Sequence, residues 1–231
     1  MLVLAGGFGT RLQSVVSDTP KALAPINGIP LLKLQLSHWI SQGQKEFTFL
    51  LCYQSYKVIK FLESLTPDFL MDSEINYLVE DKPLGTGGAI SNAISLLEIK
   101  GDLLITNADT WLGGGLREIS RTNQNTIGVI SAQDTGRYGR VSFNEERLIT
   151  SFEEKLIYQN KLQSGYINAG LYKISSETFL TKKGPYSLEK DLLPDLVKQK
   201  NLRAFELNVD FFDIGVPSDY IDFSTWFLNR G

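Results

Sequence analysis

Three glycines, a threonine and an arginine behind a short apolar run are the first residues able to do chemistry. Leu2, Val3 and Leu4 suffice only for a buried strand; Ala5 then leads into Gly6, Gly7 and Gly9, with Thr10 and Arg11 next. Glycine permits positive φ and close backbone approach. Between a strand and a helix such a loop aims backbone N–H groups at an anion, and Arg11 adds a planar donor fork suited to phosphate. The spacing predicts a phosphate cradle at the carboxyl end of the first strand. A dinucleotide loop counted from Gly7 would need glycine where Leu12 stands, and the G-K-[ST] of a Walker loop is absent. Taken alone, the loop also fits a structural tight turn. A second glycine run, Gly85, Thr86, Gly87 and Gly88, separates the strand Ile75–Val79 from an apolar helix of Ala89, Ile90, Ala93, Ile94 and Leu97. Its bare backbone suits a flat purine, and equally a plain helix entry. Asp109 ends the buried strand Leu103–Thr106, where an α/β sheet presents ligands; it fits a helix N-cap as well. Asp213 follows apolar Phe211 and Phe212, and only the fold can bring the two carboxylates together.

The elements that must position these residues alternate. Helical spacing predicts helices over Leu31–Ile40, opened by Pro30, and over Tyr56–Leu65; Phe47–Tyr53 reads as a strand between them. Trp111–Ser120 reads as partly helical, Thr126–Ala132 as a strand. Strict strand–helix alternation then fails. Tyr138–Phe143 and Leu148–Phe152 flank a polar turn and read as a hairpin. Gly165–Lys173 follows as a strand, with Ile167 and Ala169 on one face and Asn168 and Gly170 on the other. Short helices over Ser176–Leu180 and Leu188–Val197, a strand over Ala204–Asn208 and a helix over Tyr220–Leu228 complete the reading.

Composition sets limits. The 231 residues suit a single domain with a substantial core, and 42% apolar residues argue against disorder. The net charge of −3 comes without a basic block, so nucleic acid is not expected as a partner. No apolar run reaches membrane-spanning length. The opening residues lack a charged leader, and Cys52 is the only cysteine; both point to a cytoplasmic, reducing setting. His38 is the only histidine, so no histidine cluster can hold zinc; a helix surface or core edge suits it better than chemistry. Cys52 reads as a small buried hydrophobe. The abrupt start at Met1 leaves room for a missing residue or two before the first strand.

The run GG-x-G-T-R-L, followed by P-K-x-L-x-P at Pro20, Lys21, Leu23 and Pro25, resembles the sugar-1-phosphate nucleotidyltransferases. Further motifs recur in that family's order. Tyr138-Gly139 precedes the hairpin, and Glu154-Lys155 resembles its F-x-E-K. Asn168-Ala169-Gly170 matches N-x-G, and Glu189, Asp191 and Pro194 match E-x-D-x-x-P. Phe211–Tyr220 matches W-x-D-I-G-T-P-x-x-Y, with Phe211 for tryptophan and Val216 for threonine. Ala108 before Asp109 is a mild departure from the usual glycine. The G-T-G-G form at Gly85 looks most like the heptose-1-phosphate guanylyltransferases.

The resemblance implies an α/β, Rossmann-like fold of the GT-A-like nucleotidyltransferase kind. Its central sheet would be mixed and mainly parallel, with helices on both faces and a small β-rich region on the sugar side. One domain would span 1–231, with 1–132 mainly nucleotide-binding and 133–231 mainly sugar-phosphate-binding. The implied reaction is transfer of GMP from GTP to a sugar 1-phosphate with release of pyrophosphate. Arg11, Lys21, Asp109 and Asp213 would be catalytic, and Asp109 and Asp213 would hold Mg²⁺. Leu4, Ala5, Gly6, Gly7, Gly9, Thr10, Arg11, Lys21, Gly85, Thr86 and Gly87 would meet the nucleotide. Tyr138, Gly139, Glu154, Lys155, Asn168 and Gly170 would meet the sugar phosphate; on composition alone Glu154 and Lys155 also fit a solvated strand end. No general base is required, because a phosphate monoester is largely ionised near pH 7. Other readings stay open. They are mannose-1-phosphate guanylyltransfer, uridylyl transfer to an N-acetylhexosamine or muramic acid 1-phosphate, and a non-catalytic nucleotide-sugar-binding subunit. A homo-oligomer is allowed for, no membrane partner is expected, and no hexapeptide repeat follows the last helix.

Overall fold

The structure is a computed structural model and describes residues 1–9, 12, 15, 16, 18–154 and 163–230. In chain order, β1 (Leu2–Leu4) is followed by a 3₁₀ turn at Lys21–Leu23, β2 (Pro25–Ile26), β3 (Ile29–Pro30), α1 (Leu31–Ser41) and β4 (Glu46–Leu51). Next come α2 (Ser55–Glu63), α3 (Pro67–Leu70), β5 (Glu74–Val79), α4 (Gly85–Leu96), β6 (Asp102–Asn107), β7 (Thr110–Leu112), α5 (Leu116–Ser120) and β8 (Thr126–Ala132). The chain continues through β9 (Arg140–Phe143), β10 (Ile149–Glu153), β11 (Gly165–Ser175), α6 (Ser176–Phe179) and a π-helical turn at Leu188–Leu192. It ends with α7 (Leu193–Lys198), β12 (Arg203–Glu206), β13 (Phe211–Asp213) and α8 (Pro217–Leu228). No helix among the described residues is long and apolar enough to cross a membrane. Two compact units are interleaved along the chain: unit 1 holds Met1–Lys82, Thr106–Gly113 and Asp210–Gly231, unit 2 holds Pro83–Ile105 and Gly114–Val209.

In unit 1, β1, β4 and β5 pair in parallel, with Val3 opposite Phe49 and Phe49 opposite Tyr77. Leu2, Val3, Phe47, Phe49 and Leu51 are buried, as near-continuous apolar strands of a parallel sheet should be. Helix α1 turns Leu32, Gln35, Leu36 and Trp39 inward at helical spacing. Pro30 stands just before the helix rather than in its first turn. Two short elements differ from the expected pattern. Asn27 and Gly28, at φ 49° and 85°, turn the β2–β3 hairpin, the two-residue Asn-Gly signal of such turns. Trp111 is not helical but lies in β7, antiparallel to β13, opposite Phe212. Its ring belongs to an apolar cluster with Ile26, Leu31, Ile214 and Phe223, which outweighs helical spacing. Cys52 is half-buried rather than buried.

In unit 2 the pairing is mixed. β8 runs antiparallel to β11 and parallel to β12, and β9 pairs with both β10 and β11 in antiparallel fashion. Arg147 at φ 66° and the Asn144 side chain, which accepts the Leu148 N–H at 2.9 Å, turn the β9–β10 hairpin. β11 alternates up to Ala169 and is then buried on both faces through Ile174, and its register with β8 shifts between Asn168 and Tyr172. The bulge falls at Gly170, whose φ of 71° favours glycine. Helix α4 begins at Gly85, so the second glycine run is the first turn of a helix, not a loop ahead of it.

Candidate active site

The β7–β13 pair brings the two aspartates of unit 1 together. Asp213 stands opposite Thr110, and the Ile214 N–H donates to the Asp109 carbonyl at 2.9 Å. No helix follows Asp109 directly, so the N-cap reading of that residue falls away. Lys21 Nζ lies 3.1 Å from Asp109 Oδ2, and the Gly215 N–H donates to Asp213 Oδ1 at 3.0 Å. A Cβ on Gly215 would stand 2.7 Å from Asp213 Oδ1, 2.8 Å from Lys21 Nζ and 3.4 Å from Asp109 Oδ2. Three charged side chains thus converge on one bare α-carbon. The Lys21 and Asp109 side chains are 15% and 35% exposed, and gathering charges in a partly buried place is weak evidence for stability, so the convergence answers to chemistry better than to stability.

The first glycine loop is tied into the same unit. The Ala5 N–H donates to the Leu50 carbonyl and the Ala108 N–H to the Leu4 carbonyl, both at 3.0 Å. Gly6 lies against Cys52, whose thiol pKa is raised by burial and then by the Glu80 charge. Among the described residues, nothing beyond its chain neighbours lies within 4 Å of where a Cβ on Gly7 would stand. Gly9 has φ +66°, and a Cβ there would meet Lys21 Cγ at 3.0 Å. Glycine at this position therefore lets the loop close over the lysine stem. The expectations for Thr10, Arg11 and Lys155 lie outside the described residues.

In unit 2 the second glycine run packs against Tyr186. A Cβ on Gly85 would meet the Tyr186 carbonyl oxygen at 2.5 Å, and one on Gly87 would meet the Tyr186 ring at 2.1 Å. The Tyr186 carbonyl accepts the N–H groups of Gly87 and Gly88 at 3.0 and 3.2 Å. Thr86 Oγ1 donates to Glu189 Oε2 at 2.7 Å and accepts the Leu188 N–H at 2.8 Å. These glycines therefore meet a packing demand, as a helix entry would.

Four of the residues expected on the sugar side are brought together. Gly139 faces Glu154 Oε2 and the Asn168 Cβ, at 3.1 and 3.6 Å from a built Cβ, and its carbonyl accepts the Asn168 N–H at 2.8 Å. Asn168 Oδ1 accepts the Gly170 N–H at 2.9 Å, and its Nδ2 donates to the Tyr172 hydroxyl at 2.7 Å. Burial drives the Tyr172 phenol well above its ordinary pKa, with the Glu189 charge adding to the shift. Tyr138 lies one residue before this group, its hydroxyl taking a bond from Arg137 at 3.0 Å.

Sequence reasoning missed four contributors. Gly215 was visible in the D-I-G motif, and Glu189 in E-x-D-x-x-P. Gln35, 1% exposed, donates to the Thr110 carbonyl at 2.9 Å and so fastens the residue after Asp109; a glutamine on an apolar helix face was its signal. Tyr186 lies in a short connection and gave none.

Comparison with known proteins identifies the family. The nucleotidyl transferase family model matches residues 1–230. The D-glycero-α-D-manno-heptose 1-phosphate guanylyltransferase of Campylobacter jejuni is 36% identical, over 96% of this chain and 97% of its own. The protein of that name from Aneurinibacillus thermoaerophilus is 32% identical, over 95% of this chain and 94% of its own. The crystal structure of HddC from Yersinia pseudotuberculosis complexed with GMP-PN superposes with a TM-score of 0.81 at 30% identity, covering 98% of each chain. The chain belongs to the nucleotidyl transferase family and is a nucleotidyltransferase.

Proposed function

We propose that this enzyme transfers GMP from GTP to D-glycero-α-D-manno-heptose 1-phosphate, giving GDP-heptose and pyrophosphate. The observation that carries the reaction class is the meeting of Lys21, Asp109 and Asp213 around Gly215. Guanine and heptose are supported by likeness to two guanylyltransferases over nearly their whole lengths.

A sugar-phosphate oxygen attacks the α-phosphorus of GTP, the bond from that phosphorus to the bridging oxygen breaks, and pyrophosphate leaves with the electron pair. The attacking oxygen carries its own negative charge near pH 7, so no residue has to remove a proton. What remains is alignment and the neutralisation of like charges. Lys21 and Arg11 serve the β- and γ-phosphates, and Leu4, Ala5, Gly6, Gly7, Gly9 and Thr10 serve the rest of the nucleotide's phosphate end. Gly85, Thr86 and Gly87 serve the base. Tyr138, Gly139, Glu154, Asn168 and Gly170 serve the sugar, and Lys155 its phosphate.

Two carboxylates fit Mg²⁺, which takes one or two such ligands and fills its shell with phosphate oxygens and water. Asp109 and Asp213 would hold it. Bound there, the ion would supply positive charge to the departing pyrophosphate. Asp213→Asn is the test: it should fold normally and lose about a hundredfold in turnover, since metal charge stabilisation amounts to several kcal/mol. Near-normal pyrophosphate release at ordinary magnesium would remove Asp213 from this role.

A further inference from the structure

We propose that Glu189 is a positioning residue for the nucleotide, clamping Thr86 and through it the backbone of Gly85–Gly87. The proposal rests on the nucleotide role given above to those three residues.

Helix α4 lacks a cap of its own. Leu84 precedes it and offers no side-chain acceptor, and Gly85 at φ +72° adopts a conformation that few other residues would. Its first N–H groups must therefore be satisfied from elsewhere. A segment distant in sequence does this. The Tyr186 carbonyl takes the Gly87 and Gly88 N–H groups, while the Tyr186 N–H donates to the Leu84 carbonyl at 3.0 Å. The Tyr186 hydroxyl is 2.6 Å from Ser91 Oγ, which pins the same segment one turn further along α4.

Glu189 closes the arrangement. Its Oε2 accepts both Thr86 Oγ1 at 2.7 Å and Ser187 Oγ at 2.9 Å. Thr86 Oγ1 in turn accepts the Leu188 N–H, so its single proton is committed to the carboxylate. The bond is charge-assisted, and such bonds are the stronger kind. Ser187 is itself held from both sides: its N–H donates to Asp191 Oδ2 at 2.7 Å, and its Oγ accepts the Lys190 N–H at 3.1 Å. The π-helical turn at Leu188–Leu192 sits here, a distortion that recurs at functional sites. A neutral cap would have served the helix alone. Routing Thr86 through a carboxylate fixes the φ, ψ and orientation of the residues expected to meet the base.

The test uses Glu189→Ala, Glu189→Gln, Thr86→Val and the double variant Thr86→Val/Glu189→Ala. GTP and the sugar 1-phosphate are titrated separately, so no turnover occurs. Glu189→Ala should weaken GTP binding about tenfold or more, the worth of a charge-assisted hydrogen bond, with sugar-phosphate binding within about twofold. Thr86→Val should match it. The double variant should be no worse than either single, because both remove one link. Glu189→Gln, which keeps an acceptor oxygen but loses the charge, should fall between the wild type and Glu189→Ala. Amide exchange at Gly87 and Gly88 should quicken in Glu189→Ala. Unchanged GTP affinity, equal weakening of both substrates, or multiplying single effects would each overturn the proposal. If Glu189→Ala does not fold, Thr86→Val carries the same reading. If the wild type fails to bind GTP, the proposed function falls. The clamp is then judged by amide exchange and by whichever nucleoside triphosphate does bind.

Discussion

At Gly215 a single hydrogen stands where any other residue would place a carbon against Asp213 and Lys21. Gly215→Ala should therefore push these two groups apart without disturbing the apolar cluster around Trp111. Misplacement of about 1 Å can lower a rate roughly 10²-fold, and a loss of that order in kcat is expected, with the melting temperature changed by no more than a few degrees. Full activity in the folded variant would show that the convergence has no part in turnover. His38 offers a second test. Its ring stacks on Trp111 at 4.8 Å, and burial lowers its pKa below the usual 6.5, opposed by bonds to the backbone of Leu112 and Gly113. The folded protein thus binds this proton less readily than the unfolded chain. Stability present above pH 6.5 is lost as pH falls below it towards the lowered folded pKa. Because His38 is the only histidine, His38→Asn should flatten the stability change between pH 7.5 and about 5.5 in denaturant titrations. Equal slopes in both proteins would contradict this.

Elements were legible where one period or one turn signal governed them. Helix α1, strand β8 and the β9–β10 hairpin follow apolar spacing closely, since each buries one face or both against its own unit. The Asn27-Gly28 turn carries the residue types of its class but was passed over in the sequence, because its two strands are only two residues long. Trp111 was misread because its partners, Phe212 and Phe223, lie near the other end of the chain, and tertiary packing overrode local spacing. The position of the second glycine run, in the first turn of α4 rather than in a loop ahead of it, was missed for the same reason. Tyr186 dictates those glycines, and nothing near position 85 reports it. This has a measurable consequence. Gly85 and Gly101 both have positive φ, +72° and +86°, but a Cβ on Gly85 would strike the Tyr186 carbonyl, whereas among the described residues nothing beyond the chain neighbours lies within 4 Å of one on Gly101. Gly101→Ala should cost only the backbone strain, about 1 kcal/mol. Gly85→Ala should cost about 1–3 kcal/mol more, the range for overpacking. Equal losses in denaturant titrations would mean that Tyr186 moves aside freely.

The chain forms two compact units whose segments alternate along the sequence, and its motifs divide between them. Asp109 and Asp213 share unit 1 because short segments, Thr106–Gly113 and Asp210–Gly231, return there after long excursions. Apolar strand ends marked each aspartate in the sequence, but the return of the chain could not be read from them. The proposed charges account for the class of reaction; the backbone groups and hydroxyl partners that would choose the base and the sugar leave little trace in residue types. The direct test is magnesium-dependent pyrophosphate release with each of the four nucleoside triphosphates against a set of sugar 1-phosphates that includes D-glycero-α-D-manno-heptose, mannose, glucose and N-acetylglucosamine 1-phosphates. The proposed function predicts the highest kcat/KM for GTP with the heptose 1-phosphate, at least about tenfold above every other pair. Preference for another base or another sugar, or no release with any pair, would contradict it.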